Sequence, residues 1–138
     1  MSTRMISPHL PVDPEFLRAF AQLTIAHAHL DHMLRMTVKT VADVSIGQAL
    51  DATKYDGSRA LRERIRKLAR QSLGASRALV LLQALLQRCE RATARRNEFV
   101  HNIIAKELDG DVFVMTDDNQ WKPLPTAPEL DAVRDEVE

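Results

Sequence analysis

Cysteine occurs once in 138 residues, glycine four times, and aromatic side chains make up only 4% of the chain. A lone Cys89 cannot close an internal disulfide, so a disulfide-stapled scaffold is excluded and a reducing, cytoplasmic setting is expected. Long apolar runs are missing as well. The longest wholly apolar stretch, Ala78 to Leu82, is far too short to span a bilayer, and Met1 to Val12 lacks the apolar centre of a secretory leader. The chain has no Walker loop, no G-x-S-x-G turn and no dinucleotide fingerprint, and no cofactor is expected. Its length suits one domain with its own core, expected over residues 13–138 behind an N-terminal arm of residues 1–12.

Net charge is zero, yet the charges are sorted along the chain: residues 1–53 carry −1, residues 54–96 carry +9 and residues 97–138 carry −8. A basic block of that size inside a compact domain can present a cationic face to a polyanion. The same block can instead be covered by the acidic tail.

Most of the chain has helical periodicity. Asp13-Pro14-Glu15 combines a capping carboxylate, a proline suited to the first helical position and an acid facing the helix dipole. Phe16, Phe20, Leu23, His27, Leu30, Leu34, Val38 and Val41 then recur every three or four residues, which predicts a long amphipathic helix ending near Gly47. A short helical piece follows within Ile46 to Tyr55. A second long helix is expected from Ser58 to Ser72, with Leu61, Ile65 and Leu68 buried and Arg59, Arg62, Arg64, Arg66, Lys67 and Arg70 around the rest of its circumference. Gly74 stops it, and a third helix runs from about Ala75 to about Ala105. Asp109-Gly110, the strand-like Val112 to Met115, the turn at Asp117-Asp118-Asn119 and Trp121 suggest a small hairpin, with Trp121 over the bundle. A last short helix opens at Thr126 or Pro128. The expected fold is therefore all-α: an up-and-down helical bundle with a small β-hairpin between its third and fourth helices.

The apolar stripe of the third helix turns polar part-way along. Continued past Leu79, Leu82, Leu86 and Cys89, it lands on Thr93, Arg96 and Val100, so an arginine occupies a position that the pattern assigns to the core. A guanidinium there needs acceptors for its five donors. Asp31 on the first helix is the candidate inside the domain, and a bound anion is the alternative. Asn97 beside Arg96, and His101 five residues on, add an amide and a titratable imidazole.

The segment Arg96-Asn97-Glu98-Phe99-Val100-His101 resembles the signature of HEPN domains, an arginine followed by a polar residue and then by a histidine. The succession of a long first helix, a basic second helix and a leucine-rich third helix ending in the motif resembles that family too, over about residues 13–138. The resemblance implies a bundle that forms a homodimer, bringing two motifs to one cleft. In many members it implies a metal-independent ribonuclease acting on RNA, some of them toxins or stress-response proteins with an antitoxin partner. Other members are non-catalytic modules that bind nucleotide, RNA or protein. By position, Arg96 would hold the scissile phosphate, His101 would move the proton and Asn97 would orient one of them. Ile103 stands where toxin members often carry a modifiable tyrosine, so control by that modification is not expected.

Supporting roles are expected for Asp31, His27 and Thr93, and Arg62, Arg66, Lys67 and Arg70 are expected to flank the cleft and guide RNA toward Arg96. In the competing structural reading these four cations are tied up by Asp117, Asp118, Glu129 and Asp131. No metal site is expected, because His27 and His29 point to different sides of their helix and His29 and His32 lack a third ligand. His27 itself lies on the apolar line and reads as a hydrogen-bonded core histidine.

Overall fold

The computed structural model describes residues 6–8, 13–100, 104–107, 113–117 and 120–137. Along the chain these form β1 (Ile6–Pro8), α1 (Pro14–Ala42), α2 (Ile46–Thr53), α3 (Ser58–Leu73), α4 (Arg77–Val100), β2 (Ile104–Glu107), β3 (Phe113–Asp117), β4 (Gln120–Pro123) and α5 (Ala127–Val137). The helices carry the body of the protein, as their periodicity requires. Among the described residues no helix is long and apolar enough to cross a membrane.

Local chemistry sets the helix ends. Asp13 caps α1 by accepting from the Glu15 amide at 3.1 Å, with Pro14 in the first turn. The helix stops at Ala42, earlier than Gly47, because Asp43 adopts the left-handed conformation (φ 55°, ψ 52°) and its amide closes back on Lys39 and Thr40. Ser45 and Gln48 then form a reciprocal capping box for α2, which places Gly47 inside that helix. Gly74, at φ 56°, ends α3 in a conformation that a side chain would disfavour, and Ser76 restarts the chain by accepting from the Leu79 amide at 3.2 Å. Thr126 and Glu129 cap α5 in the same reciprocal way.

The expected hairpin is replaced by a larger arrangement. The four strands form one antiparallel sheet in the order β1-β2-β3-β4, with Ser7 opposite Lys106, Ala105 opposite Val114 and Thr116 opposite Trp121. Residues 6–8, expected only as an arm, thus supply an edge strand, and Ala105, expected at the end of the third helix, lies in β2. Two isolated strands are marginal in water, whereas β-branched Ile104 and Val114 favour a broader sheet. Pro8 and Pro123 fall in the two edge strands, the places in a sheet that tolerate a residue without an N–H. The turns at 109–110 and 118–119, and the side chain of Trp121, lie outside the described residues.

The core has two parts joined along α1. Phe16, Ala19, Leu23 and Ala26 pack with Ala92 of α4 and with Leu130, Val133 and Val137 of α5. Further along, Leu34 and Val38 pack with Leu61 and Ile65 of α3 and with Leu86 and Cys89 of α4. Leu30 touches both clusters. Burial pushes the Cys89 thiol above its usual pKa, opposed by the nearby Arg62 and Arg88 charges.

The acidic C-terminal helix does not cover the basic α3. Asp131 pairs instead with Arg18 of α1 at 3.1 Å, and Arg134 reaches Gln22 of the same helix. The Glu129 carboxylate is used by its own cap, accepting from the Thr126 amide at 3.3 Å, and Asp118 and the side chain of Asp117 lie outside the described residues. The hydrogen bond and charge of Arg18 hold the Asp131 carboxyl below its usual value.

Two outcomes follow for α5. Leu130, fully buried, should cost about 2–5 kcal/mol when cut back to alanine, read from urea unfolding. Because the folded pKa of Asp131 is depressed, its contribution is complete above the ordinary carboxylate value of 3.8 and is lost as pH falls through the lower folded value. The thermal midpoints of the parent and Asp131→Asn should therefore differ at neutral pH and converge in strong acid.

Candidate functional site

Between the two apolar clusters α1 turns polar, and the neighbouring helices answer with polar groups at the same level. His27 is 3% exposed, and its Nε2 lies 3.0 Å from Thr93 Oγ1 on α4. Its other ring nitrogen, Nδ1, is 3.8 Å from Asp31 one turn further along α1. The Ser58 hydroxyl, in the first turn of α3, donates to Asp31 Oδ1 at 2.6 Å. Hydroxyl, imidazole, carboxylate and second hydroxyl thus form a chain across three helices.

Asp31, Ser58 and Thr93 of this chain line a cleft of about 720 Å³, together with Gly57, Arg59, Arg62 and Glu63 from the start of α3 and Glu90, Arg96 and Asn97 from α4. Two arginines enter it with donors left over. Arg62 is only 5% exposed, and its Nε and Nη1 have no hydrogen-bond partner among the described residues. The Nε of Arg96 is buried in the same condition. Desolvation lowers the Arg96 pKa from its usual value, while the Asp31 charge works in the opposite direction. An arginine nonetheless stays protonated near neutrality.

Asp31 therefore acts on Arg96 through its charge, and the hydrogen-bonded pair considered from the sequence does not form. The carboxylate oxygens are directed at Ser58 and His27 instead. The nearby ion pairs of Arg59 with Glu63, at 3.1 Å, and of Arg66 with Glu90, at 3.4 Å, balance themselves. Three arginines, Arg59, Arg62 and Arg96, thus share the cleft with three carboxylates, Asp31, Glu63 and Glu90, and Arg62 and Arg96 are the two arginines there without an ion pair among the described residues.

The basic block is divided differently from its expected role. Arg62, expected to guide RNA from the rim, is buried in the floor because it shares the inward line of Ser58, Ile65 and Ala69. Arg66 and Arg70 line a separate hollow with Val80, Gln83 and Glu90, and Lys67 is exposed. Of the four expected guides, only Arg62 lines the Arg96 cleft. Arg88, Arg91 and Arg95 of α4 form a further basic stripe over another hollow, where Arg95 reaches Glu136 at 3.8 Å. His101 lies outside the described residues. His29 and His32 are exposed, and the described residues contain no group of three metal-ligating side chains.

Two features of this site had been missed, the burial of Arg62 and the part of Ser58. The signal was present. Ser58, Arg62, Ile65 and Ala69 recur at the spacing of four and three that singles out Arg96 on the other helix. The dense arginines around α3 obscured it.

The chain matches no protein-family model, no curated protein and no solved structure.

Removing the Ser58 hydroxyl takes away a short hydrogen bond to a carboxylate, so Ser58→Ala should lower stability by about 1.5–3 kcal/mol in chemical denaturation.

Proposed function

We propose that this protein is HEPN-like and cleaves RNA without a metal, holding the scissile phosphate in the arginine cleft. The observation that carries the reading is Arg96, whose buried Nε has no acceptor among the described residues, on the wall that Asn97 also lines. A fixed guanidinium in a partly desolvated cleft is suited to the charge that builds on phosphoryl oxygens. His101 supplies an imidazole, the side-chain type suited to proton transfer near neutrality. In this scheme the 2′-oxygen of the substrate bonds to phosphorus as its proton passes to the imidazole. The bond from phosphorus to the 5′-oxygen breaks, and that oxygen receives a proton. The products are a 2′,3′-cyclic phosphate and a 5′-hydroxyl end.

One histidine per motif is few for taking a proton on one side of phosphorus and delivering one on the other. A homodimer with two facing motifs supplies both, and it is part of the proposal.

A second reading, that of a non-catalytic module, has its own support. The described part of the cleft offers groups for binding phosphate, while its buried imidazole, His27, is engaged by Thr93.

The deciding experiment is incubation of single-stranded RNA with the protein in EDTA. The expected results are cyclic-phosphate ends, a loss of about 10²–10⁴-fold in rate for His101→Ala with folding intact, and scattering from a species of twice the chain mass. Cutting that requires magnesium, or that survives His101→Ala, overturns the mechanism. Intact RNA bound by the cleft favours the non-catalytic module.

A further inference from the structure

The start of α3 is unusual in its electrostatics. A helix N-terminus carries partial positive charge and three or four amides without intrahelical partners, and it is normally relieved by a capping side chain and by acids in the first turn. In α3 the N-cap is Gly57, which provides no side-chain cap, and the first turn contains no acid. The first helical bond runs from the Leu61 amide to the Gly57 carbonyl, which leaves the amides of Ser58, Arg59 and Ala60 without a partner in the helix. Arg62 adds a full positive charge within the next turn, 95% buried, with Nε and Nη1 unpartnered among the described residues. Asp31 is the one carboxylate in the cleft not already matched by an ion pair with an arginine, and it serves Ser58 and His27 as well as the Arg96 charge.

We infer that the N-terminus of α3 and Arg62 together form a binding site for a phosphomonoester dianion, beside the Arg96 guanidinium that holds the scissile diester in the proposed reaction. Three backbone amides and the Nε and Nη1 of Arg62 outnumber what the two free oxygens of a phosphodiester accommodate well. They suit the three oxygens and double charge of a terminal phosphate. The inference deepens the RNA reading by naming an end group that the cleft selects, and rests on that reading only in taking RNA as the bearer of the phosphate. Arg62 and the α3 amides are needed whether or not a bond is cut.

Inorganic phosphate is the first probe. At constant ionic strength, replacing chloride by phosphate should raise the thermal midpoint of the parent, because a ligand bound only by the folded state stabilises it. Arg62→Met should abolish this shift while its own midpoint in chloride stays level or rises, since a buried charge lacking its full set of acceptors has been removed. Arg62→Lys, which keeps the charge but loses the fork, should retain a reduced shift and guards against misfolding of the methionine variant. The second probe is a pair of short oligoribonucleotides that differ only in a 5′-phosphate, titrated into His101→Ala so that none is cut. The phosphorylated form should bind about tenfold or more tightly, and Arg62→Met should erase that preference. Phosphate protection with equal binding of the two oligonucleotides keeps the site but assigns it to a free phosphate or small phosphomonoester. Absence of phosphate protection, or equal protection of the parent and Arg62→Met, overturns the inference. Failure of RNA cleavage with these phosphate effects intact overturns the ribonuclease reading alone.

Discussion

Two guanidinium groups, Arg62 and Arg96, are folded into the seam between α1, α3 and α4, and Asp31 is the carboxylate lining that cleft which has no ion pair with an arginine among the described residues. Charges in such positions require acceptors or an opposing ion, and the described protein groups supply only part of either. The arrangement can persist because apolar packing on both sides of it is extensive. Phe16, Leu23, Leu130 and Val133 close one end, and Leu34, Leu61, Ile65 and Leu86 close the other. α1 runs through both clusters and presents His27 and Asp31 at the level between them. Its length therefore has a structural use: one rigid element carries two cores and the polar layer that separates them.

The capping pattern separates elements built for stability from the one built around the cleft. α1, α2, α4 and α5 all begin with a side-chain cap, from Asp13, Ser45, Ser76 and Thr126. α3 alone among them begins at a glycine that provides none, and it is the helix whose first turn opens into the cleft. Capping groups at the other helix starts stabilise by roughly 0.5–2 kcal/mol each. Omitting one where the buried Arg62 and the half-buried Arg96 converge leaves amides available to an anion. Sites that bind charged ligands are commonly less stable than the scaffold around them for this reason.

The sorting of charge along the chain takes a different meaning in three dimensions. The acidic α5 engages Arg18, Arg95 and its own Arg134 rather than the basic α3. Cations of α3 separate by direction: Arg62 turns inward, Arg66 and Arg70 face another hollow, and Arg64 closes the chain locally onto Asp56. A total of +9 over residues 54–96 is thus a poor guide to the surface. What matters for a ligand is the small number of charges that remain uncompensated in one concave place.

Helix periodicity, caps and the polar break in the α4 stripe were legible from the chain alone, because each depends on residues within a few turns of one another. The spacing that exposes Arg96 as a seam residue is such a local property, as are the start of α1 at Asp13 and the stop at Gly74. The four-stranded sheet was not legible, since residues 6–8 find their partners almost a hundred positions away and a three-residue segment carries no periodic signal. Arg62 lies between these cases. Its spacing with Ser58 and Ile65 is written in the sequence, but so is a crowd of neighbouring arginines with no rank among them. Only the packing of α3 against α1 and α4 decided which of those arginines leaves solvent, because burial is a property of the neighbours a residue meets across the fold, not of those beside it in the chain.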